Sequence, residues 1–260
     1  MSSPKVIVLS LIGTKLGNAT MSYLHARAHA ERVGAELQCD PWIGEEIWDL
    51  TIHRVTHRGL DHRDENTLLP HETNVMLRTY AQSQRAMIYT ALQAREWLRF
   101  RRPIEEVLAD PEAMRRFDSD HIVAHLRRGD FAPLGYPLVG VKSYHDAVVQ
   151  FGLANRAKWG GFDQAFNFVS EEHPTPWGKL PSRLSMLPDF YRMVYAPVLL
   201  RANSSFSWVA GLLNPNRVFS PVINEAFGGK ENDCKFVEGN WPRLSMLPMC
   251  SDLHLPNETV

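Results

Sequence analysis

Two adjacent arginines follow an apolar run in the segment HLRRGD, residues 125–130. The run at 122–126 is typical of a buried strand, and Arg127, Arg128 and Asp130 come directly after it. Neighbouring guanidinium groups repel each other, so either an anion lies beside them or the pair faces water. Arginine forms forked, charge-assisted hydrogen bonds to phosphate. The end of this strand is therefore a candidate anion site.

Polar groups also follow three other apolar runs. The sequence places Ser170, Glu171 and Glu172 after residues 165–169, Asn203, Ser204 and Ser205 after residues 198–202, and the segment GTKLGN after residues 5–12. Serines at the start of a helix offer hydroxyls and backbone N–H groups where the helix dipole favours an anion. The two carboxylates suit hydroxyl or amino donors, such as those of ribose or a purine base. Together these groups predict a phosphorylated nucleotide.

Each of these features alone has a simpler interpretation. Ser204 and Ser205 are typical of an ordinary helix cap, and the glutamate pair is typical of a solvated loop. The triplet DSD at 118–120 resembles the metal-binding pair of many sugar transferases. It precedes an apolar run instead of following one, so we interpret it as a loop and the end of a helix, and we expect no metal site.

The elements that would position these groups follow from the hydrophobic pattern. Strand-like runs at 122–126, 165–169, 198–202 and 217–220 alternate with helical segments at 144–153, 189–195 and 206–213. This alternation predicts a doubly wound α/β layer with a parallel sheet, whose ligands bind at the carboxyl ends of the strands.

The first part of the chain predicts a strand at 5–12, a helix at 19–33 that ends at Gly34, an irregular loop at 53–72 and a helical region at 74–100. The pattern changes near residues 117–120. We therefore expect two domains, at 1–117 and 118–260.

The composition narrows the function classes. Lys and Arg number 28 against 29 Asp and Glu, which gives no support for nucleic-acid binding. No run approaches the roughly 18 apolar residues of a membrane span, and the first apolar run lacks the features of a signal peptide. Three widely spaced cysteines argue against a disulfide framework. We expect a cytoplasmic protein, and a peripheral contact with a membrane stays open.

Four segments, taken in order, resemble the α1,2-fucosyltransferases, glycosyltransferase family 11. The segment HLRRGD resembles the His-x-Arg-Arg-x-Asp motif that the wider fucosyltransferase superfamily shares. The segments GTKLGNATMSYLHARAHA at 13–30 and RANSSFSWVAGLLN at 201–214 resemble the family's N-terminal glycine motif and its serine motif. The segment FVSEEHPTPW at 168–177 stands where the family has Phe-Ser-Asp-Asp.

The resemblance implies a GT-B architecture, in which two Rossmann-like domains face each other across a cleft. It also implies GDP-β-L-fucose as the donor, inversion at the anomeric carbon, a glycan hydroxyl as the acceptor and no metal or other cofactor. The N-terminal domain would be the acceptor side, and an α1,2 linkage would be formed.

Residue roles carry over with the motifs. Arg127 would bind the β-phosphate of GDP, supported by Arg128 and Asp130. The other donor-binding positions would be Gly17, Asn18, His125, Glu172, Asp189, Ser204, Ser205 and Phe206. Within that set, Asp189 would bind the guanine edge and His125 would lie beside the base. The general base would be Asp130, Glu171 or Glu172, and the residues leave that choice open.

Some positions depart from the family pattern. Glu171 and Glu172 replace an aspartate pair and are each one methylene longer, and Val209 stands at a family tryptophan position. Residues 231–260 have no counterpart in the family. Two alternatives therefore stay open, which are transfer from another nucleotide sugar and a catalytically silent protein that binds a nucleotide or a glycan.

Overall fold

The computed structural model describes residues 5–11, 14–57, 59–110, 122–129, 131–153, 167–170, 180–223, 230–240 and 244–245. The helices are α1 (Leu16–Val33), α2 (Gly44–Ile47), α3 (Ala91–Trp97), α4 (Arg102–Leu108), α5 (Val141–Gln150), α6 (Leu187–Tyr195) and α7 (Ser205–Leu213). The strands are β1 (Val6–Leu9), β2 (Glu36–Cys39), β3 (His53–Arg54), β4 (Asp61–Arg63), β5 (Val75–Leu77), β6 (Ile122–Leu126), β7 (Leu138–Val139), β8 (Asn167–Ser170), β9 (Val198–Leu200), β10 (Arg217–Ile223), β11 (Glu231–Asn232), β12 (Phe236–Glu238) and β13 (Leu244–Ser245).

The first sheet has five parallel strands in the order β3-β2-β1-β5-β4. All four residues of β1 are buried, as expected for a central strand without a solvent face. The chain moves from β1 to one side through β2 and β3 and then continues on the other side with β4 and β5. The strand order therefore reverses between β1 and β5, the kind of switch point at which α/β sheets bind ligands.

The second sheet has a similar plan. Its main path is β12-β10-β9-β6-β8, with β13 paired to β10, and β12 is its antiparallel strand. The chain moves from β6 to β8 and then returns to the other side of β6 with β9 and β10. The switch point of this sheet therefore lies between β6 and β9, whose parallel register pairs Ala124 with Leu200.

One hydrophobic core connects elements of both sheets. It contains α1 residues such as Leu24, α3 residues such as Trp97, α6 residues such as Phe190 and α7 residues such as Trp208. A smaller cluster around Tyr144, between α5 and the second sheet, covers the other face. Polar contacts join the same halves of the chain, including Arg95 Nη2 donating to the Asn214 carbonyl at 2.7 Å.

Most of the strand and helix predictions agree with the structure. The strand predicted at 122–126 is β6, and Gly34 ends α1 with φ of 64°. Pro103 lies in the first turn of α4, where a missing N–H costs little. The sheet expected from the alternating pattern is parallel around β6, β8, β9 and β10.

The helix predicted over residues 74–100 is wrong. This region contains β5, a 3-10 turn at Gln84–Ala86 and α3. Asn74 at φ of 59° accepts a hydrogen bond from the backbone of Val6, and the chain then enters β5 beside β1. A capping box of Thr90 and Gln93 starts α3 only after these elements. The loop predicted at 53–72 also contains the two short strands β3 and β4.

Membrane-spanning helices, metal ligands and cysteines can be examined in the described part of the chain. No helix in it is long and apolar enough to cross a membrane. No group of three or more His, Cys, Asp or Glu side chains in it could hold a metal ion. Cys39 and Cys234 are buried free thiols. The predicted domain boundary near residues 117–118 lies outside the described residues.

Candidate functional site

The N-terminus of α1 and the N-terminus of α7 meet at Gly17. A Cβ atom on Gly17 would lie 2.6 Å from the backbone nitrogen of Phe206 and 2.7 Å from Oγ of Ser205. Real Cβ atoms do not approach backbone this closely, so only glycine permits the contact. Since α1 follows β1 and α7 follows β9, this contact brings the carboxyl ends of the two sheets together.

The first turn of α7 is arranged as an anion-binding helix start. Ser204 precedes the helix in an extended conformation, and its Oγ accepts a hydrogen bond from the Phe206 N–H at 3.3 Å. The initial N–H groups of a helix have no partner within the helix, and its dipole places positive charge there. The N-terminus of α1, which contains Gly17, adds a second positive dipole end at this contact. An anion placed at this junction would therefore interact favourably with both helices.

The carboxyl end of β6 lies beside the same turn. His125 is the fourth residue of β6, and its ring centroid is 5.9 Å from that of Phe206. The guanidinium carbon of Arg127, two residues later, lies 4.8 Å from the Phe131 ring centroid. Adjacent strands are about 4.8 Å apart, so the segment that carries Arg127 is a near neighbour of the segment that leads into α7. The structure thus places His125 against Phe206, and it places the segment that carries Arg127 next to the segment that leads through Ser204 into α7.

The imidazole of His125 is neutral at physiological pH. The side chain is 2% exposed. Burial, together with the positive charges of Arg127 and Arg201, lowers the pKa of His125 to about 3. Its Nδ1 is buried without a hydrogen-bond partner in the described structure. A histidine with this pKa cannot act as a general base near pH 7, so its role in a site is packing or neutral hydrogen bonding.

Arg128 points away from its neighbour and into a different set of contacts. Its Nη1 donates to the Val139 carbonyl at 3.0 Å, and its Nη2 donates to Oε1 of Glu231 at 2.9 Å. Only 15% of the Arg128 side chain is exposed, against 56% for Glu231. The adjacent arginines therefore avoid repulsion because one is neutralised by a carboxylate from β11.

A second cation lies beneath the switch point. Arg201 follows β9 and is 4% exposed, with its Nε donating to Oγ of Ser220 at 2.8 Å. Burial lowers the pKa of Arg201 to about 9, although the nearby Tyr144 hydroxyl opposes this effect. The Tyr144 hydroxyl itself donates to the His125 carbonyl at 2.7 Å. Tyr144 therefore holds the end of β6, and Arg201 provides a buried positive charge behind the N-terminus of α7.

The first sheet supports Asn18 through the loop after β5. Gln82 Nε2 donates to Oδ1 of Asn18 at 2.8 Å, and the Ser22 hydroxyl bridges the carbonyls of Asn18 and Thr79. Ala81, next to Gln82, is buried at φ of 48°, a left-handed conformation that costs a non-glycine residue roughly 1–2 kcal/mol. The fold therefore maintains a strained turn at the β1–β5 switch point, beside Gly17.

Asp189 lies in the first turn of α6 and is 6% exposed. Its carboxylate is 3.8 Å from Arg192 Nη1 within the same helix. The neighbouring Phe190 ring packs 5.1 Å from the Phe206 ring, which connects the start of α6 to the start of α7. Asp189 is thus near the junction through Phe190, as a buried and charge-paired carboxylate.

Three predicted site residues, Asp130, Glu171 and Glu172, lie outside the described residues. Sequence reasoning missed four residues that support the site, which are Gln82, Tyr144, Arg201 and Glu231. Arg201, the first residue of the serine-motif segment, could have been found from the sequence, because a charged residue directly after an apolar strand needs a partner. Glu231 carries none, since it is 103 positions from Arg128 along the chain.

The arrangement can stabilise negative charge. Two helix N-termini, a guanidinium at the end of β6 and a buried cation after β9 all contribute positive potential to one edge of the sheets. Preorganised donors of this kind stabilise charge that develops on a leaving group. The described residues therefore form a positively charged edge that can stabilise an anion.

No protein-family model matches the sequence, and no curated protein matches it. Solved structures do share its fold. The α-1,6-fucosyltransferase NodZ soaked with GDP-fucose aligns with a TM-score of 0.54 at 13% identity, over 91% of this chain and 99% of that one. NodZ from Bradyrhizobium in its selenomethionine form aligns with a TM-score of 0.56 at 12% identity, over 91% of this chain and 99% of that one. A mutant of Arabidopsis thaliana FUT1 with GDP aligns with a TM-score of 0.56 at 12% identity, over 91% of this chain and 74% of that one.

This chain therefore has the mixed α/β fold with parallel sheets that fucosyltransferase structures have.

Proposed function

We propose that the protein is an inverting fucosyltransferase that transfers L-fucose from GDP-β-L-fucose to a hydroxyl of a glycan, forming an α1,2 link. The observation that carries the proposal is the junction at Gly17, where two helix N-termini and the arginine-bearing end of β6 meet. The motif resemblance and the fold shared with fucosyltransferases that bind GDP or GDP-fucose support the same assignment.

In this proposal the diphosphate of GDP lies at the junction. The backbone N–H and the hydroxyl of Ser205, at the start of α7, donate to it, and the guanidinium of Arg127 forms the forked contact. As the bond from the β-phosphate to the fucosyl carbon breaks, negative charge grows on the departing phosphate oxygen. Arg127 and the helix dipoles stabilise that charge because they are fixed before the reaction begins.

The sugar and the acceptor complete the reaction. The fucosyl ring becomes oxocarbenium-like as GDP leaves, and an acceptor hydroxyl attacks from the opposite face, which inverts the anomeric carbon. The hydroxyl proton passes to a carboxylate. Asp130, Glu171 and Glu172 are the proposed bases, whereas the low pKa of His125 makes that residue unsuitable.

The architecture belongs to the same proposal. We propose a GT-B arrangement, with residues 1–117 on the acceptor side and residues 118–260 on the donor side. The reversal of strand order in each sheet supports it, because each sheet then has its own ligand-binding edge.

A donor screen tests the proposal. Calorimetry would measure binding of GDP, GDP-fucose, GDP-mannose and UDP-sugars, and a hydrolysis assay would follow release of GDP. We expect GDP and GDP-fucose to bind, and we expect turnover of GDP-fucose to produce a fucosylated acceptor. NMR of this product would determine the linkage and the anomeric configuration. Preferred turnover of another donor would reassign the sugar, and GDP-fucose binding without turnover on a broad acceptor panel would indicate a silent binding protein.

A further inference from the structure

A closed turn after β6 places an aromatic ring against Arg127. The Phe131 ring centroid lies 4.8 Å from the guanidinium carbon of Arg127 and 5.0 Å from the Tyr136 ring centroid. Two backbone hydrogen bonds fix the position of Phe131, since its N–H donates to the Arg128 carbonyl at 2.9 Å and its carbonyl accepts from the Tyr136 N–H at 2.9 Å. Gly135, at φ of 75°, provides the left-handed residue that closes the turn.

The ring makes a contact that an aliphatic side chain cannot replace. An aromatic face attracts a guanidinium electrostatically and also packs against its flat surface. The guanidinium carbon lies over the Phe131 ring, whereas the forked bond to a diphosphate uses the N–H groups in the guanidinium plane. Arg127 can therefore contact Phe131 and bind an anion at the same time. The contact with Phe131 restricts the orientations of the guanidinium before the anion binds.

We propose that Phe131, backed by Tyr136, is a positioning residue that holds the guanidinium of Arg127 in the orientation that the donor diphosphate requires. The inference rests on the proposed function, because it assigns Arg127 to the leaving diphosphate. Phe131 acts through Arg127 and touches no reacting atom.

The inference predicts a specific kinetic pattern. Replacing Phe131 with Leu keeps an apolar side chain but removes the attraction, so Arg127 samples other orientations. Turnover falls more than donor affinity does, because Arg127 makes its strongest interaction as charge develops on the leaving phosphate. A cation–π contact of ordinary strength corresponds to a decrease of roughly 3- to 30-fold in kcat. Phe131→Tyr keeps the ring and retains near-normal kcat.

A double-mutant cycle separates positioning from a structural role. If Phe131 acts through Arg127, then Phe131→Leu has no further effect on kcat when Arg127 is already Ala. Tyr136→Leu shows a smaller loss than Phe131→Leu. Leu134, whose side chain is 63% exposed in the same turn, provides the control, and Leu134→Ala leaves kcat unchanged.

The experiment measures kcat, donor KM, GDP affinity and melting temperature for these variants of the full chain. A kcat loss in Phe131→Leu that Tyr restores and that vanishes in the Arg127→Ala background supports the inference. Normal kcat in Phe131→Leu, or a loss that persists in the Arg127→Ala background, overturns it while leaving the proposed function intact.

The proposed function can fail separately. If the wild-type protein binds GDP but transfers no fucose, GDP affinity becomes the readout. An affinity that falls in Phe131→Leu and recovers in Phe131→Tyr then supports the positioning role without the transferase. A wild-type protein that binds no GDP overturns both.

Discussion

Gly17 of α1 lies in van der Waals contact with the backbone of Phe206 at the start of α7, and a Cβ atom at Gly17 would approach that nitrogen to 2.6 Å. This contact joins two helices that begin at the carboxyl ends of different sheets. Its geometry sets how closely the two positive helix ends can approach one anion.

We expect Gly17→Ala to lower GDP affinity by about tenfold or more and to reduce the melting temperature, because the added methyl group must push rigid backbone away. Gly211→Ala in α7 is the matched control. A Cβ there meets Asn240 Oδ1 at 2.6 Å and Val218 Cγ1 at 3.0 Å, so it meets side chains and not backbone. Calorimetry and thermal melts would check both, and equal GDP affinity in the two variants would contradict the assigned role of the junction.

Arg127→Ala should leave the fold intact and lower kcat by on the order of 10²–10³, the scale for loss of one preorganised charge stabiliser. Arg127→Lys should restore little of it, since an ammonium group reproduces neither the fork nor the stacking on Phe131. Steady-state kinetics and circular dichroism would measure these effects. Near-normal turnover in Arg127→Ala would remove Arg127 from the mechanism.

Arg128→Ala should lower stability more than turnover. It removes hydrogen bonds to the Val139 carbonyl and to Glu231, worth about 1–3 kcal/mol together. The loss stays moderate because the Glu231 carboxylate is half-exposed and regains water. Glu231→Gln, which keeps an acceptor, should cost less. Chemical denaturation would measure both, and an inactive but fully stable Arg128→Ala would exchange the roles assigned to the two arginines.

Acid should destabilise the protein through His29. Burial lowers the pKa of His29, the Arg32 charge adds to that effect, and a hydrogen bond to the Glu72 carbonyl opposes it. Arg32 donates to Nδ1 at 2.7 Å while Nε2 lies 2.8 Å from that carbonyl, so the partners select the neutral tautomer. Since the folded pKa lies below the unfolded value of about 6.5, this stability is present above pH 6.5 and is lost as the pH falls below it.

His29→Gln keeps one donor and one acceptor but cannot take up a proton. Its melting temperature should therefore fall less than that of the wild type between pH 7 and pH 5. His71→Gln, at an exposed position, is the control and should leave the slope unchanged. Parallel slopes in all three proteins would exclude His29 as an acid-sensitive group.

The sequence predicted the second sheet better than the first, for a physical reason. The strands β6, β9 and β10 are buried apolar runs with helices between them, so their pattern is visible locally. In the first sheet, β3 and β4 are two and three residues long and mostly exposed, and their composition resembles a loop. Their pairing depends on neighbours that no local pattern identifies.

The same distinction between local patterns and long-range contacts applies to the candidate site. The serine cap, the arginine pair and Gly17 stand in short motifs, and the chemistry of their side chains is apparent from the residues alone. The contacts that orient them come from far along the chain, as when Glu231 neutralises Arg128 and Gln82 binds Asn18. Such partners are determined by the tertiary fold, and neither their spacing in the sequence nor their residue type predicts them.

One hydrophobic core contains Leu24 of α1, Phe190 of α6 and Trp208 of α7. This shared core determines how the chain unfolds. Helices that share one apolar interior cannot melt separately without exposing it to solvent. Heating should therefore give a single calorimetric transition with equal van't Hoff and calorimetric enthalpies, and either half of the chain expressed by itself should aggregate.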